Sequence, residues 1–248
     1  VKGYAICSEH RSGSTFLCQL LASTQLLGRP EEYFSDNRFA LSLEREPAAL
    51  DALVALAATP NGIYGLKLFT QQFDATMKSR WPERLPGLRW VHLQRRDLLA
   101  QAISLVRTIQ TDQYRSTEAP RAEPRYDRAA IAGHLARLAE NEARWRRYFA
   151  RNALQPLWLV YEEVIADPAA AVAAVARHLG LAGEVRPDLE RVAVGIQRDA
   201  VTEEWRARFA AEAGDLNLLD HRHGQARVWL RRLARDLRYL RQVPRQSR

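Results

Sequence analysis

Lysine is nearly missing from this chain. Of 37 Lys and Arg residues only Lys2, Lys67 and Lys78 are lysine, so the formal charge of +8 rests on arginine. Cysteine is as scarce. Cys7 and Cys18 are the two present, each in an apolar run, and they make neither a disulfide framework nor a zinc spacing. Reduced core cysteines point to the cytoplasm. No apolar stretch approaches the roughly 20 residues of a membrane span. No signal-peptide pattern opens the chain and no internal repeat is found. A Walker loop is missing too, since G-x-x-x-x-G-K-[ST] needs a lysine beside its second glycine. That counts against a P-loop small-molecule kinase.

The 248 residues are 47% hydrophobic, which suits one sizeable domain with or without an extension. Excess arginine fits anionic ligands, nucleic acid or an acidic membrane surface, and it is also what codon bias would produce. Two alternatives therefore stay open: a P-loop small-molecule kinase, and a non-catalytic Arg-rich nucleic-acid or membrane-surface binder.

The informative stretch is Tyr4–Leu21, YAICSEHRSGSTFLCQLL. It predicts a short strand, a polar loop and a helix opening near Ser14. First-turn amides have no intrahelical acceptor and the helix dipole favours negative charge there, so such a loop cradles an anion. Arg11 adds a planar donor fork, Ser12, Ser14 and Thr15 add hydroxyls, and Gly13 lets the backbone approach a ligand.

Further along, Gly28 and Pro30 mark a break. Glu31 and Glu32 are expected to open a short helix, or to present a carboxylate across from the loop. Periodicity predicts a helix over 46–58, a strand over 63–69 and a strand over 88–93. A helix over 98–110, a long helix from Asp127 to Phe149, a strand over 156–161 and a helix over 168–179 follow, the last capped by Gly180. Lys67 lies in an apolar strand, facing solvent or a site. Arg95 ends a strand, where an anion would sit, and Ser104 is nine residues on. Residues 113–125 read as a surface loop. The alternation predicts an α/β fold: a P-loop-type parallel sheet with helices on both faces. Residues 1–210 form the main domain and 211–248 a basic helical extension, whose 225–241 segment is amphipathic and Arg-rich.

Together these pieces resemble the PAPS-dependent sulfotransferases, PAPS being 3′-phosphoadenosine-5′-phosphosulfate. CSEHRSGSTFL is similar to their 5′-phosphosulfate loop, VHLQRRDLLAQAIS to their 3′-phosphate element, and LVYEEVIADP to a later strand. Gly28, Pro30, Glu32, Tyr33, Phe34 and Gly65-Leu66-Lys67 resemble segments of the bacterial trehalose 2-sulfotransferase-like group, which includes lipopolysaccharide sulfotransferases. The resemblance implies transfer of a sulfonyl group from PAPS to a sugar or glycolipid hydroxyl. Arg11, Ser12, Gly13, Ser14 and Thr15 would hold the 5′-phosphate and sulfonyl oxygens. Arg95, Ser104 and Arg198 would hold the 3′-phosphate, Tyr161 the adenine, and Glu32 would be the general base, with His10 as a second candidate. No metal is expected. A homodimer is compatible, no nucleic acid is expected, and the C-terminal basic helix offers a peripheral contact with the inner membrane. Two departures stand out: Glu9-His10 where relatives tend to have a small residue and Gln, and Arg96 where Pro is common.

Overall fold

A computed structural model of the chain describes residues 2–35, 43, 46–114, 119–193 and 200–212. The chain divides into two compact units, Val1–Ala207 and Arg208–Arg248. The parallel sheet lies in the first. Arg198 and the 225–241 helix lie outside the described residues, as do positions 115–118 of the surface loop.

Strand β1 (Gly3–Ser8) is buried along its whole length. It lies between β2 (Tyr64–Phe69) and β3 (Arg89–Gln94), and β4 (Leu157–Val160) completes the order β2-β1-β3-β4. All three pairings are parallel, with Ile6 facing Lys67 on one side and Val91 on the other. A parallel strand buried on both faces must be apolar on both, and Tyr4, Ala5, Ile6 and Cys7 are. Tyr4 and Ile6 pack with Leu17, Leu20 and Leu21 of α1 (Ser14–Ser23) and with Val172 and Val175 of α7 (Pro168–His178). Ala5 and Cys7 face Leu50 and Leu53 of α2 (Pro47–Ala57), Phe73 of α3 (Thr70–Thr76), and Trp145 and Phe149 of α5 (Arg128–Arg151). Helices therefore cover both faces, as the strand–helix alternation predicts.

Local chemistry sets the helix starts. Asp97 opens α4 (Leu98–Thr111), accepting from the Ala100 amide at 3.0 Å. Asp127 and Asp167 cap α5 and α7 in the same way at 2.9 Å. Gly180 follows α7 at φ 68°, a left-handed geometry suited to its role as a stop. Helices α6 (Tyr161–Ala166) and α8 (Ala200–Ala211) complete the described set.

Two expectations are corrected. Glu31 and Glu32 do not open a helix: Glu31 bridges Leu66 as a short parallel extension beside β2. The reason is close backbone approach. A Cβ on Gly28 would lie 2.5 Å from the Gly65 amide nitrogen, so the two glycines let the segment run against β2. The Lys67 amide then donates to the Glu31 carbonyl at 3.1 Å. The last strand also stops one residue early, and Tyr161 begins α6.

One buried group makes acid sensitivity testable. His92 on β3 is 0% exposed. Burial first, then the charge of Arg146, pushes its pKa down to about 3. Its 3.4 Å approach to Glu142 is thus not an ion pair at neutral pH. The native state refuses a proton that the unfolded chain accepts below about pH 6.5. Stability is therefore lost as pH falls from that value towards 3, by about 1.4 kcal/mol per pH unit for this group. Denaturant titrations across this range should show a shallower acid slope for His92→Gln.

Candidate active site

Each strand delivers its C-terminal end to one edge, where residues 9–13, Thr70, Arg95 and Tyr161 follow β1, β2, β3 and β4. In the order β2-β1-β3-β4 the connections from β1 and β3 diverge, and open parallel sheets bind ligands at that crevice. The Arg11 carbonyl accepts there from the Arg95 guanidinium at 3.1 Å.

The loop is held in a costly conformation. Arg11 has φ 61° and Gly13 φ 84°. A left-handed non-glycine residue costs about 1 kcal/mol, and the surroundings compensate by fastening the loop from outside. The Glu9 carbonyl accepts from the Ser12 amide at 3.2 Å, and the His10 carbonyl accepts from Gln101 Nε2 on α4 at 2.8 Å. Gly13 precedes α1 without a side-chain cap, leaving the first-turn amides available to an anion. Only glycine fits, because a Cβ at position 13 would come within 2.1 Å of the Tyr161 ring. Gly13→Ala should lower the melting temperature and abolish phosphate binding, since both φ and the Tyr161 contact oppose it. Thermal shift with and without inorganic pyrophosphate tests this.

On the β3 side, Arg11 Nε donates to Ser104 Oγ at 2.9 Å and a terminal nitrogen donates to the Tyr114 carbonyl at 2.9 Å. Arg95 lies 5.1 Å over the Tyr161 ring. Burial first, then the charges of Arg95 and Arg107, lowers the Arg11 pKa. Cations sharing a desolvated crevice are relieved by an anion placed among them. Glu162 secures the turn after Arg95, accepting from the Arg96 and Asp97 amides at 3.0 and 3.1 Å. A proline at position 96 would lack that first donor, so the departure from Pro brings a hydrogen bond with it.

On the β2 side, Lys67 Nζ lies 2.6 Å from Glu32 Oε1 and donates to Thr15 Oγ1 at 3.1 Å. Gln72 Nε2 donates to Glu32 Oε2 at 3.3 Å. Lys67 is only 3% exposed, so it points inward and not to solvent. A buried ammonium needs a partner, and Glu32 is it. His10 is tucked against Phe69 with ring centroids 4.0 Å apart, its Nε2 3.2 Å from Gln71 Nε2. Burial, outweighing the opposing charge of Glu32, lowers its pKa to about 4, so it is neutral at pH 7.

The structure thus brings together Arg11, Ser104, Arg95 and Tyr161 at one end of the loop and Glu32 at the other. Ser12 lines a small cavity with Glu9 and Arg95, its buried Oγ without a hydrogen-bond partner. Sequence reasoning missed Arg107, Gln72 and Gln101. Arg107 sits one helical turn after Ser104 and donates to Thr202 at 2.7 Å, a spacing that could have flagged it. The two glutamines carried no sequence signal.

A family model described as Stf0 sulphotransferase matches residues 3–212. The chain belongs to that family. Two curated relatives are each named trehalose 2-sulfotransferase. The one from Mycobacterium tuberculosis is 28% identical, with 88% of this chain and 98% of that protein covered. The one from Mycolicibacterium smegmatis is 26% identical, with 85% and 95% covered. Among solved structures, a sulfotransferase from Alicyclobacillus acidocaldarius overlays with a TM-score of 0.49 at 16% identity, over 86% of this chain and 92% of that one. The sulfotransferase domain from the curacin biosynthetic pathway overlays at 0.48 and 12%, over 85% and 98%. Membership makes the chain an enzyme of the sulfotransferase class. Among the described residues no helix is long and apolar enough to cross a membrane.

Proposed function

We propose that the enzyme moves the sulfonyl group of PAPS to a carbohydrate hydroxyl, with Glu32 as general base. One observation carries this reading. Arg11, Ser104 and Arg95 converge at one end of the loop, while Lys67 ties Thr15 of the same loop to Glu32 at the other. A bound nucleotide with phosphate groups at two positions and a sulfonyl group between donor and acceptor needs that layout.

The donor set fits PAPS chemically. The Gly13-to-Thr15 amides and the Thr15 hydroxyl would hold the 5′-phosphate. Arg95 and Ser104 would hold the 3′-phosphate, with Arg11 reaching both phosphates. Tyr161, already beneath Arg95, would border the base. Sulfonyl transfer, like phosphoryl transfer, depends on in-line positioning and on stabilising charge that develops on the leaving side. Arg11 and Lys67 would supply that stabilisation as fixed cations in a partly dry crevice. Glu32 has one oxygen bound tightly by Lys67 and one bound loosely by Gln72. Oε2 is therefore the oxygen that would accept the proton of the attacking hydroxyl.

The carbohydrate acceptor is supported by the two trehalose 2-sulfotransferase relatives, which match over nearly their whole length. A screen of trehalose, other sugars and glycolipids with labelled PAPS tests the reading. Transfer to a sugar hydroxyl is expected. Labelling confined to phenols or amines would overturn the carbohydrate assignment.

A further inference from the structure

Glu9 is an uncommon choice for the first residue after a central strand. It is 6% exposed. Its Oε1 accepts from the Thr70 amide at 3.2 Å and its Oε2 from Asn141 Nδ2 at 2.9 Å. Thr70 opens α3 directly after β2, and Asn141 stands in the middle of α5. One carboxylate thus ties the start of the loop to two separate elements, while its own carbonyl closes the turn onto Ser12. Among the described residues no cation lies at ion-pair distance from it. Beside it is a cavity of about 220 Å³ lined by Glu9, Ser12, Gln94, Arg95, Gln101 and Glu142. Ser12 is 1% exposed and its buried Oγ has no hydrogen-bond partner.

An ionised carboxylate accepts from both Thr70 and Asn141 without rearrangement. A neutral acid or an amide carries a donor on one of its two arms, and that donor meets the Asn141 amide donor unless the Asn141 amide turns over. We propose that Glu9 is a positioning residue of the anion loop: its ionised carboxylate holds the strained 9–13 turn in the form that binds the donor's phosphate. This rests on reading the site as a PAPS site.

Holding that charge is costly to the fold. Burial raises the Glu9 pKa, against the lowering effect of hydrogen bonds from Thr70, Asn141 and Trp145. The groups that face it are Thr70 from α3, Asn141, Trp145, Glu142 and Arg144 from α5, and Cys7 from its own strand. The folded pKa lies above the unfolded one, so ionised Glu9 detracts from stability above the folded value. A neutral replacement relieves that cost and loosens the loop.

The test is calorimetric titration of the full chain with PAP and with AMP, from about pH 8 to about pH 5, beside thermal unfolding. The wild type should prefer PAP and lose affinity on acidification beyond the loss due to the ligand's own phosphate, which titrates near about pH 6. Glu9→Gln should stay folded, bind PAP about 10-fold more weakly at pH 8 and lack the extra acid loss. Asn141→Ala removes one donor and should move the acid loss to higher pH. A merely structural Glu9 predicts weaker binding in Glu9→Gln with the wild-type acid loss intact, which would overturn the proposal. So would a Glu9→Gln protein with wild-type affinity and the same acid loss. A wild type that binds PAP no better than AMP overturns the reading of the site, and the role of Glu9 with it.

Discussion

Arg95→Ala is expected to lower affinity for PAP by about 100-fold while lowering affinity for AMP only several-fold, so that discrimination between them collapses. Two losses combine. The first is the charge-assisted contact with a 3′-phosphate, about 1.5–3 kcal/mol for a hydrogen bond to a charged group. The second is the 3.1 Å bond that Arg95 gives to the Arg11 carbonyl, one of the ties that hold the loop. Only the second loss touches AMP, which lacks the 3′-phosphate. Ser104→Ala removes a neutral hydroxyl and should cost about 10-fold against PAP. Equal losses for both nucleotides in Arg95→Ala, measured by calorimetry, would remove Arg95 from the 3′-phosphate site.

Glu32→Gln is expected to bind PAP as the wild type does and to lose turnover by about 10²–10⁴-fold, the usual range for a general base. Glutamine keeps an oxygen for Lys67 and fills the same space, so the geometry beside Thr15 should survive. What disappears is the ability to take a proton. A modest destabilisation comes with it, because Lys67 is nearly buried and its partner at 2.6 Å loses its charge. Glu32 is 35% exposed on its side chain, so solvent screens the pair and the cost is about 1 kcal/mol, some 2–4 °C for a domain of this size. Single-turnover assays with labelled PAPS and a responsive sugar decide the matter. Turnover within a few-fold of wild type would leave His10 as the remaining candidate. His10 is neutral at pH 7 with its Nε2 close to the Gln71 amide.

Several features were legible from residues in a row. GYAICS is apolar from Tyr4 to Cys7 because a central parallel strand is buried on both faces. Asp127 before α5 marked a helix start because a cap works within one turn; Asp97 and Asp167 cap α4 and α7 in the structure by the same rule. The loop's chemistry was legible for the same reason, its amides, hydroxyls and Gly13 being contiguous. Glu31-Glu32 misled. Carboxylates opening a helix and carboxylates in an extended segment look alike in sequence. The close approach of Gly28 to Gly65 that decides between them spans two segments.

Sequence by itself determined the strand–loop–helix course of Tyr4–Leu21, the strand-end position of Arg95 and the alternation that makes a parallel sheet. Each depends on spacing within one element, and backbone geometry converts such spacing into shape. Tertiary structure alone decided the partnerships. Arg11 meets Ser104 across 93 positions of sequence, and Lys67 meets Thr15 across 52. Those contacts depend on β1 lying between β2 and β3 in a particular register, which no single element encodes. Lys67 shows the difference most clearly. In sequence it is a lysine in an apolar strand, facing either way. In the fold, the register that pairs it with Ile6 turns it inward, and the run of Gly28–Glu32 along β2 brings Glu32 against it. A buried charge is stable only where the rest of the chain supplies its counter-charge.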